Sequence, residues 1–323
     1  MSFIPRLQPF LRVVSLAVCV SSIGLLASCG GTTSTTTTNN NDTSSNPYAA
    51  AYMAITNWGT GVTVSFPSGC AMTVSATGTP PSHNPYYLGP AMAGQTVVAT
   101  TPSGIQLAVT AYGGGLATVN KVSATFNICP TKASSTTKTT GGAIGFVSSG
   151  EVLFDPYEAT QTVALGDNVS YTFSSGGTSY TAYFIDQCNS HAAGGMGANS
   201  GSTWHYHGVP TCWTETVDGA SGASHIIGIA LDGYPIYGGR DVNGNVVAAS
   251  SLDACNGITS ATPEFPSGAY HYVLPIGVTS KQSSIGCYTG TVGATLTAWA
   301  QTLRCKPGMM MAMVAAKPEK RGL

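Results

Sequence analysis

The sequence predicts an all-β protein: a single large β-sandwich-like domain with long loops, in which disulfides staple two pseudo-symmetric halves. The first observation behind this fold class is the composition, since 40 glycines, 18 prolines and 15 tyrosines stand among the 323 residues beside many threonines, serines and valines. Such a composition is typical of short strands joined by turns. The other two observations are an internal repeat and the spacing of the cysteines.

The N-terminal segment is typical of an export signal. Two arginines precede an apolar run, residues 13–26, which is short for a membrane span. The run ends in Leu26-Ala27-Ser28-Cys29, which resembles the lipobox of bacterial lipoproteins. That resemblance implies a signal peptide of residues 1–28, a lipid on Cys29 and anchoring in the cell envelope, with Gly30 favouring the outer membrane. The alternative is a cleaved signal without a lipid.

Composition divides the rest of the chain into three parts. Residues 29–48 are mostly Thr, Ser, Asn and Gly and are predicted to form a flexible tether. Residues 49–305 are predicted to form the β domain, and residues 306–323 a tail. Only 8% of the residues are charged and the net charge is −1, which excludes the electrostatic footprint of a nucleic-acid-binding protein.

The first part of the β domain alternates apolar and polar residues between Gly/Pro turns. Residues 61–66 and 105–110 show this alternation, and we predict strands there. A loop at residues 78–83 carries His83. Residues 130–142, which are rich in Thr, Ser and Lys, are predicted to form another loop.

The chain then repeats itself. Three blocks recur in the same order, and the first has a constant offset of 227 − 144 = 83. The matched blocks are residues 144–154 with 227–237, 186–190 with 253–257, and 204–206 with 270–272. We therefore predict two related halves, residues 143–212 and 226–290, packed about a pseudo-twofold axis with equivalent blocks facing a shared centre.

Seven cysteines follow Cys29, and an exported protein is expected to hold most of them in disulfides. The repeat makes Cys188–Cys212 and Cys255–Cys287 equivalent bridges, which leaves Cys70–Cys129 as the third. Cys305 then remains as a free or intermolecular thiol. Each bridge is expected to add about 2–4 kcal/mol to the free energy of unfolding.

A candidate metal site lies in the stretch that contains half of the six histidines. His205 and His207 are two residues apart in a predicted strand, so both imidazoles leave the same face, about 6–7 Å apart. Imidazole is a ligand that suits Zn and Cu. We expect His191 and, from the second half, His271 to complete the site, with His83 as a further ligand. The alternative is that the histidines only brace disulfide-bound turns through backbone hydrogen bonds.

The two halves differ at the histidines. Ile258 and Val273 stand where the first half has His191 and His207, so His271 alone keeps its equivalent, which is His205. This asymmetry favours a single site supplied mainly by the first half.

Together these motifs resemble the YHYH domain family of exported proteins. The resemblance rests on Asp-x-Cys-Asn-x-His at residues 186–191, aromatic-His-Tyr-His at 204–207 and Leu-Asp-Gly-Tyr-Pro-Ile-Tyr-Gly at 231–238. It extends from residue 62 to residue 290, because the Gly-x-Pro-x-x-His run ending at His83 resembles the family's upstream segment. Trp204 replaces the first Tyr of the name-giving motif. The resemblance implies that these residues belong to one domain, and the family has no established reaction.

Asp232 is a candidate catalytic residue. It occupies an Asp-Gly turn in the second half, and Ser149 takes its place in the first. A carboxylate there would serve as a metal ligand, as a partner of a histidine or as a general base. The alternative is that it only stabilises the turn through local hydrogen bonds.

Three functions agree with these patterns. The first is a lipid-anchored extracytoplasmic protein that binds Zn or Cu through the histidine cluster, with enzymatic activity left open. The second is a metal-free surface module that binds a glycan or a protein through its aromatic loops. The third is a hydrolase that uses Asp232 and a histidine as its acid and base.

Overall fold

Short strands are the main regular secondary structure of the described chain. The computed structural model describes residues 36–37, 45–80, 88–90, 97–100, 106–109, 120–158, 161–165, 170–175, 178–183, 185, 188–194 and 202–296. All of them belong to one compact unit, residues 33–323. The predicted signal peptide, Cys29, His83, Cys305 and the tail lie outside the described residues. Within the described residues, no helix has the length and apolar character needed to span a membrane.

Twenty strands occur in these ranges. They are β1 (Thr36–Thr37), β2 (Thr63–Ser68), β3 (Ala71–Ala76), β4 (Leu88–Pro90), β5 (Val97–Thr100), β6 (Gln106–Val109), β7 (Val122–Asn127), β8 (Lys132–Lys138), β9 (Ala143–Val147), β10 (Val152–Phe154), β11 (Ser170–Ser175), β12 (Thr178–Tyr183), β13 (Ser190–Gly194), β14 (Ser202–Tyr206), β15 (Ile226–Ala230), β16 (Pro235–Tyr237), β17 (Gly257–Ser260), β18 (Ala269–Val273), β19 (Cys287–Gly290) and β20 (Thr295–Leu296).

Two sheets contain most of these strands. The five-stranded sheet has the order β1-β2-β3-β7-β20, and the eight-stranded sheet has the order β13-β14-β10-β9-β15-β16-β18-β17. A three-stranded sheet, β4-β6-β5, and the pairs β11-β12 and β8-β19 are smaller. The predicted all-β class is confirmed.

The eight-stranded sheet contains the internal repeat. Its inner strands β9 and β15 are antiparallel, and Phe146 pairs with Ile229, its own counterpart at the offset 229 − 146 = 83. The next strands follow the same symmetry, since β10 pairs in parallel with β14 as β16 pairs in parallel with β18. A pseudo-twofold axis therefore passes through the Phe146–Ile229 pair, and the predicted two halves are confirmed.

Two equivalent glycines let the inner strands approach each other. A Cβ atom on Gly145 would lie 2.7 Å from the carbonyl oxygen of Ile229, and one on Gly228 would lie 2.5 Å from the carbonyl oxygen of Phe146. Both distances are far below van der Waals contact. The repeat therefore has glycine at both positions because a side chain would separate the strands at the axis.

The predicted meeting of equivalent blocks at a shared centre holds for the first block, whose strands β9 and β15 pair at the axis, but it is wrong for the histidine blocks. The two halves lie side by side in one sheet, so equivalent strands lie on opposite sides of the axis. Strands β14 and β18, which carry His205 and His271, occupy the second and seventh places in the sheet. Since adjacent strands are about 4.8 Å apart, these two are separated by roughly 24 Å.

Two helices interrupt the strands, α1 (Pro47–Met53) and α2 (Thr211–Val217). Asn46 caps α1, because its side-chain oxygen accepts a hydrogen bond from the N–H of Tyr48 at 2.9 Å. Trp213 holds α2 against the sheet by donating from Nε1 to Oγ of Ser148 at 2.8 Å. Both helices are too short for apolar periodicity to show, so the sequence does not predict them.

Cores on both faces of the eight-stranded sheet make the domain sandwich-like. Because successive residues of a strand point to opposite faces, Val152 packs with the five-stranded sheet and Leu153 packs on the other side. The first core is formed with Val64, Met72, Val74, Ala124 and Phe126 of β2, β3 and β7. The second core is formed with Trp213 of α2 and Tyr288 of β19.

Strand β8 lies where the sequence predicts a loop. It pairs with β19 through the backbone, and most of its side chains are exposed. A strand without a buried face shows no apolar alternation, which is the pattern that predicts the other strands.

The three predicted disulfides, Cys70–Cys129, Cys188–Cys212 and Cys255–Cys287, are all present. The first joins the β2–β3 turn to the chain that follows β7. The other two occupy equivalent places in the two halves, with Cα atoms 5.3 and 4.7 Å apart. Each fixes the start of the strand that pairs with a histidine strand, β13 in one half and β17 in the other.

Candidate metal centre

His205 and His207 leave the same face of the eight-stranded sheet. The ring of His205, in β14, stacks on Phe154 with centroids 3.9 Å apart. His207 follows the strand and meets the same phenyl ring edge-on, with centroids 5.8 Å apart. Tyr206 lies between them in the chain and points into the opposite core. This alternation agrees with the strand that the sequence predicts.

His191 joins these two from the neighbouring strand. It pairs directly opposite His205, and the two ring centroids are 4.4 Å apart. The turn before β13 positions it, because Asn189 adopts a φ of 63° and its carbonyl oxygen accepts a hydrogen bond from the N–H of His207 at 3.1 Å. Asn256 has a φ of 66° and an equivalent bond in the second half. The asparagine of the repeated Asp-x-Cys-Asn motif therefore has a left-handed backbone conformation in both halves, which asparagine tolerates better than most residues.

Glu158 is the fourth member of the cluster, and none of the sequence motifs described above predicts it. It lies in a short hairpin after β10 that is closed by an isolated bridge between Tyr157 and Val163. Its Oε1 atom lies 2.9 Å from Nε2 of His191 and 3.2 Å from Nε2 of His207.

The repeat contains a signal for Glu158 beyond the matched blocks. At the offset 241 − 158 = 83, Glu158 corresponds to Asp241, and the bridge between Tyr157 and Val163 corresponds to one between Arg240 and Val246. An acidic residue thus stands at the same turn position in both halves. In the second half Asp241 accepts two backbone N–H bonds from its own turn, each of 2.9 Å.

The donor atoms of this cluster are spaced as ligands of one ion would be. Nε2 of His207 lies 3.0 Å from Nε2 of His205 and 3.3 Å from Nε2 of His191. One ligand atom from each of the four residues lies within 4.8 Å of all the others. A tetrahedral ion with bonds of about 2.0–2.1 Å separates its ligand atoms by roughly 3.3 Å. The four residues therefore form a cluster that can hold a metal ion.

Backbone hydrogen bonds determine which ring nitrogens face the centre as acceptors. Nδ1 of His205 donates to the carbonyl oxygen of Thr203 at 3.0 Å, and Nδ1 of His207 donates to that of Asp155 at 2.7 Å. A neutral imidazole has one N–H, so both Nε2 atoms carry lone pairs. Two lone pairs that face each other at 3.0 Å repel unless a cation lies between them.

Burial sets the charge state of the cluster. The three histidines are at most 5% exposed. Burial, and then the charges of His191 and His207, hold the pKa of His205 well below its usual 6.5. Burial alone would raise the pKa of Glu158, but the charges and hydrogen bonds that His191 and His207 provide when they are protonated outweigh it and lower that pKa below 4.5. Neutral imidazole and ionised carboxylate are the forms that bind metal.

His271 does not join the cluster, so its predicted place in the ligand shell is wrong. Its strand, β18, is five strand spacings from β14. Nδ1 of His271 donates to the carbonyl oxygen of Ala269 at 2.9 Å, as His205 does to Thr203, and its ring packs on Tyr237. Ile258 lies opposite it in β17. His83, the other predicted ligand, lies outside the described residues.

Asp232 is buried far from the cluster, in the turn between β15 and β16. Its Oδ2 accepts hydrogen bonds from the hydroxyl of Tyr272 at 2.6 Å and from the N–H of Gly290 at 2.8 Å. Burial raises its pKa, although these hydrogen bonds oppose the shift. Among the described residues, the hydrogen bonds of Asp232 include none to a histidine.

The first half also has a buried carboxylate near the corresponding tyrosine, although Ser149 stands at the position of Asp232. Glu151 accepts hydrogen bonds from Ser149 and from the hydroxyl of Tyr206, the latter at 3.3 Å. Tyr206 is the counterpart of Tyr272. Glu151 and Asp232 occupy different positions in their turns, so the sequence alignment does not show that the two carboxylates are equivalent.

A known family model matches the part of the chain that contains this site. The family model described as YHYH protein matches residues 123–246 and 241–288, a range that contains all four members of the cluster. No curated protein and no solved structure gave a match. The matched residues cover about half of the chain, including the whole repeat apart from its last residues, and the chain belongs to the YHYH protein family.

Proposed function

We propose that this protein binds one transition-metal ion through Glu158, His191, His205 and His207. The observation that carries the proposal is the pair of Nε2 atoms of His205 and His207, 3.0 Å apart, whose Nδ1 atoms both donate to backbone carbonyls. A bound cation removes the repulsion between the two lone pairs. It also neutralises the carboxylate of Glu158, which lies beside these two histidines.

Zinc fits this donor set best. Three imidazoles and one carboxylate are borderline ligands that suit Zn and Cu(II), whereas Cu(I) favours sulfur. Cu(II) prefers a tetragonal arrangement, whereas the separations of 2.9–3.3 Å between neighbouring donors are close to the edge of a zinc tetrahedron. We therefore propose Zn, with Cu as the second choice.

We propose that the protein acts in the bacterial cell envelope, anchored by a lipid to the outer membrane. The support comes from the lipobox-like Leu-Ala-Ser-Cys sequence, with Cys29 as the lipidated residue. Three disulfides support an oxidising compartment. A tether between Cys29 and the β domain would hold the metal site near the membrane but outside it.

The two other functions have less support. A hydrolase built on Asp232 needs a histidine beside it, and the described hydrogen bonds of Asp232 involve only Tyr272, Gly290 and Tyr234. A metal-free module, in which the histidines only brace turns, accounts for the backbone bond of His205. It does not account for the facing Nε2 atoms or for Glu158.

Metal analysis of full-length protein purified without a histidine tag tests the proposal. We expect about one equivalent of Zn or Cu, and we expect the double variant His205→Ala/His207→Ala to lose it. His271→Ala is the matched control, because His271 has the same strand position and backbone hydrogen bond as His205 but no partner histidines. It should retain the full equivalent.

Two results would contradict the proposed metal binding. One is a wild-type protein that takes up no ion from a Zn or Cu solution. The other is a double variant that is folded, as shown by circular dichroism, and binds as much metal as the wild type.

A further inference from the structure

His191 is held less firmly than the other two histidines. The Nδ1 atoms of His205 and His207 each donate to a backbone carbonyl. The Nδ1 atom of His191 is buried and has no hydrogen-bond partner among the described residues. Such bonds orient a ligand ring and raise its basicity, and removing one costs about 10–100-fold in metal affinity.

Within the described part of the chain, His191 also has fewer packing contacts than the other two histidines. Phe154 contacts the rings of both His205 and His207. The described ring contacts of His191 are only with these two histidines. Its strand, β13, is at the edge of the eight-stranded sheet, whereas β14 lies between β13 and β10. An edge strand has one neighbour to hold it and therefore moves at lower cost.

We infer that His191 is an exchangeable ligand of the metal centre, an inference that rests on the proposed function. When His191 leaves, Glu158, His205 and His207 still hold the ion, and the vacant position accepts a small molecule with a neutral or anionic nitrogen or oxygen donor. Two histidines and one glutamate are also the protein ligands of zinc sites that keep a position for water or substrate.

The side of the cluster at which exchange occurs follows from exposure. The side chain of Glu158 is 19% exposed, against 6% for that of His191 and 1% for that of His207. Glu158 and His191 are also direct neighbours, with 2.9 Å between Oε1 and Nε2. An incoming donor therefore reaches the ion beside Glu158, at the position that His191 gives up.

Co(II) in place of the native ion reports the coordination number through its visible spectrum. We expect His191→Ala to retain one equivalent of Co(II), and imidazole to bind it saturably and to restore the wild-type spectrum. His205→Ala should bind Co(II) about 10–100-fold more weakly than His191→Ala does, because it removes a ligand that has a backbone partner. Ile258→Ala, at the equivalent position of the second half, is the matched control and should behave as wild type.

The wild-type protein gives a second measurement that does not depend on the folding of a variant. Azide in large excess should change the Co(II) spectrum without releasing the ion, because it replaces the imidazole of His191 by a different donor. The inference is overturned if the wild-type spectrum does not respond, or if folded His191→Ala loses Co(II) as fully as His205→Ala and imidazole does not restore binding. A wild-type protein that binds no Co(II) or Zn would instead reject the proposed function itself.

Discussion

His205 and its counterpart His271 show that the site depends on the neighbours of a histidine as much as on the histidine itself. Both rings are buried, and both donate from Nδ1 to the carbonyl oxygen two residues earlier. Among the described residues, His205 has other metal-binding groups at its Nε2 atom and His271 does not belong to such a cluster. The difference arises from Ile258 and Val273, which replace two imidazoles by apolar side chains in the second half.

The buried histidines predict how the stability of the metal-free protein depends on pH. Burial lowers the pKa of His205 and of His271, so the unfolded chain takes up protons at a higher pH than the folded chain does. The free energy of unfolding therefore falls as pH drops below about 6.5, by at most about 1.4 kcal/mol per pH unit for each histidine. Urea unfolding at several pH values between 8 and 5 measures this fall.

His271→Leu isolates one of these histidines without touching the cluster. The variant should lose less stability than the wild type between pH 8 and pH 5, because it has one fewer buried imidazole to protonate on unfolding. An unchanged difference in stability between the two proteins over this range would contradict the lowered pKa of His271.

Tyr272 is predicted to matter for stability and not for metal binding. Its hydroxyl donates to Asp232 and accepts a hydrogen bond from the N–H of Thr289 at 2.7 Å. We expect Tyr272→Phe to lower the free energy of unfolding by roughly 1.5–3 kcal/mol, since it removes a hydrogen bond to a buried carboxylate. Tyr206→Phe, whose bond to Glu151 is longer, should cost less. A Tyr272→Phe variant whose free energy of unfolding is unchanged, or one that loses metal, would contradict a purely structural role for Asp232.

At the scale of the elements, two turns bring the cluster together. The turn at Asn189 places His191 opposite His205, and the hairpin after β10 returns Glu158 to the same point. The strand β14 follows from sequence, because alternation of aromatic residues and histidines is visible in the chain. The hairpin that carries Glu158 cannot be predicted in this way, because no residue near Glu158 in the sequence indicates that it is a ligand. Only the correspondence between Glu158 and Asp241 indicates a turn there.

The disulfides provide a matched comparison between the halves. Cys188 directly precedes the turn that positions His191, so Cys188→Ala/Cys212→Ala should weaken metal binding at least about 10-fold besides lowering the free energy of unfolding by about 2–5 kcal/mol. Cys255→Ala/Cys287→Ala opens a loop of similar length, 32 residues against 24, and should cost similar stability with unchanged metal affinity. Isothermal titration with Zn and urea unfolding measure both quantities. Equal metal affinities in the two double variants would show that the first disulfide does not position His191.

At the scale of the whole molecule, the pseudo-twofold axis explains both what sequence predicts and what it does not. The repeat, the disulfide pairs and the strand alternation all depend on residues that can be aligned within the chain. The arrangement of the two halves cannot be predicted from the alignment, because an aligned repeat is compatible with halves that face each other and with halves that share a sheet. The pairing of Phe146 with Ile229 decides between them, and it places His271 roughly 24 Å from His205.

The same axis predicts that a second metal site can be built. Ile258→His and Val273→His would restore the imidazoles around His271, and the backbone is already in place because the N–H of Val273 bonds to Asn256 as that of His207 bonds to Asn189. We expect the double variant to bind a second, weaker equivalent of Zn, since Asp241 is engaged in its own turn. The metal-free variant should lose about 1–3 kcal/mol of stability by burying polar rings.

Zinc titration of this variant, followed by metal analysis and thermal unfolding, gives the outcome. A folded variant that still binds a single equivalent would show that the two halves are equivalent in their backbone but not in the placement of their side chains.

The anomalous difference map of a crystal of zinc-loaded protein, recorded at the zinc absorption edge, tests the metal centre most directly. We expect one strong peak about 2.0–2.1 Å from Nε2 of His191, His205 and His207 and from Oε1 of Glu158. A zinc-loaded crystal with no peak among these four residues, or with its peak at Asp232 or His271, would contradict it.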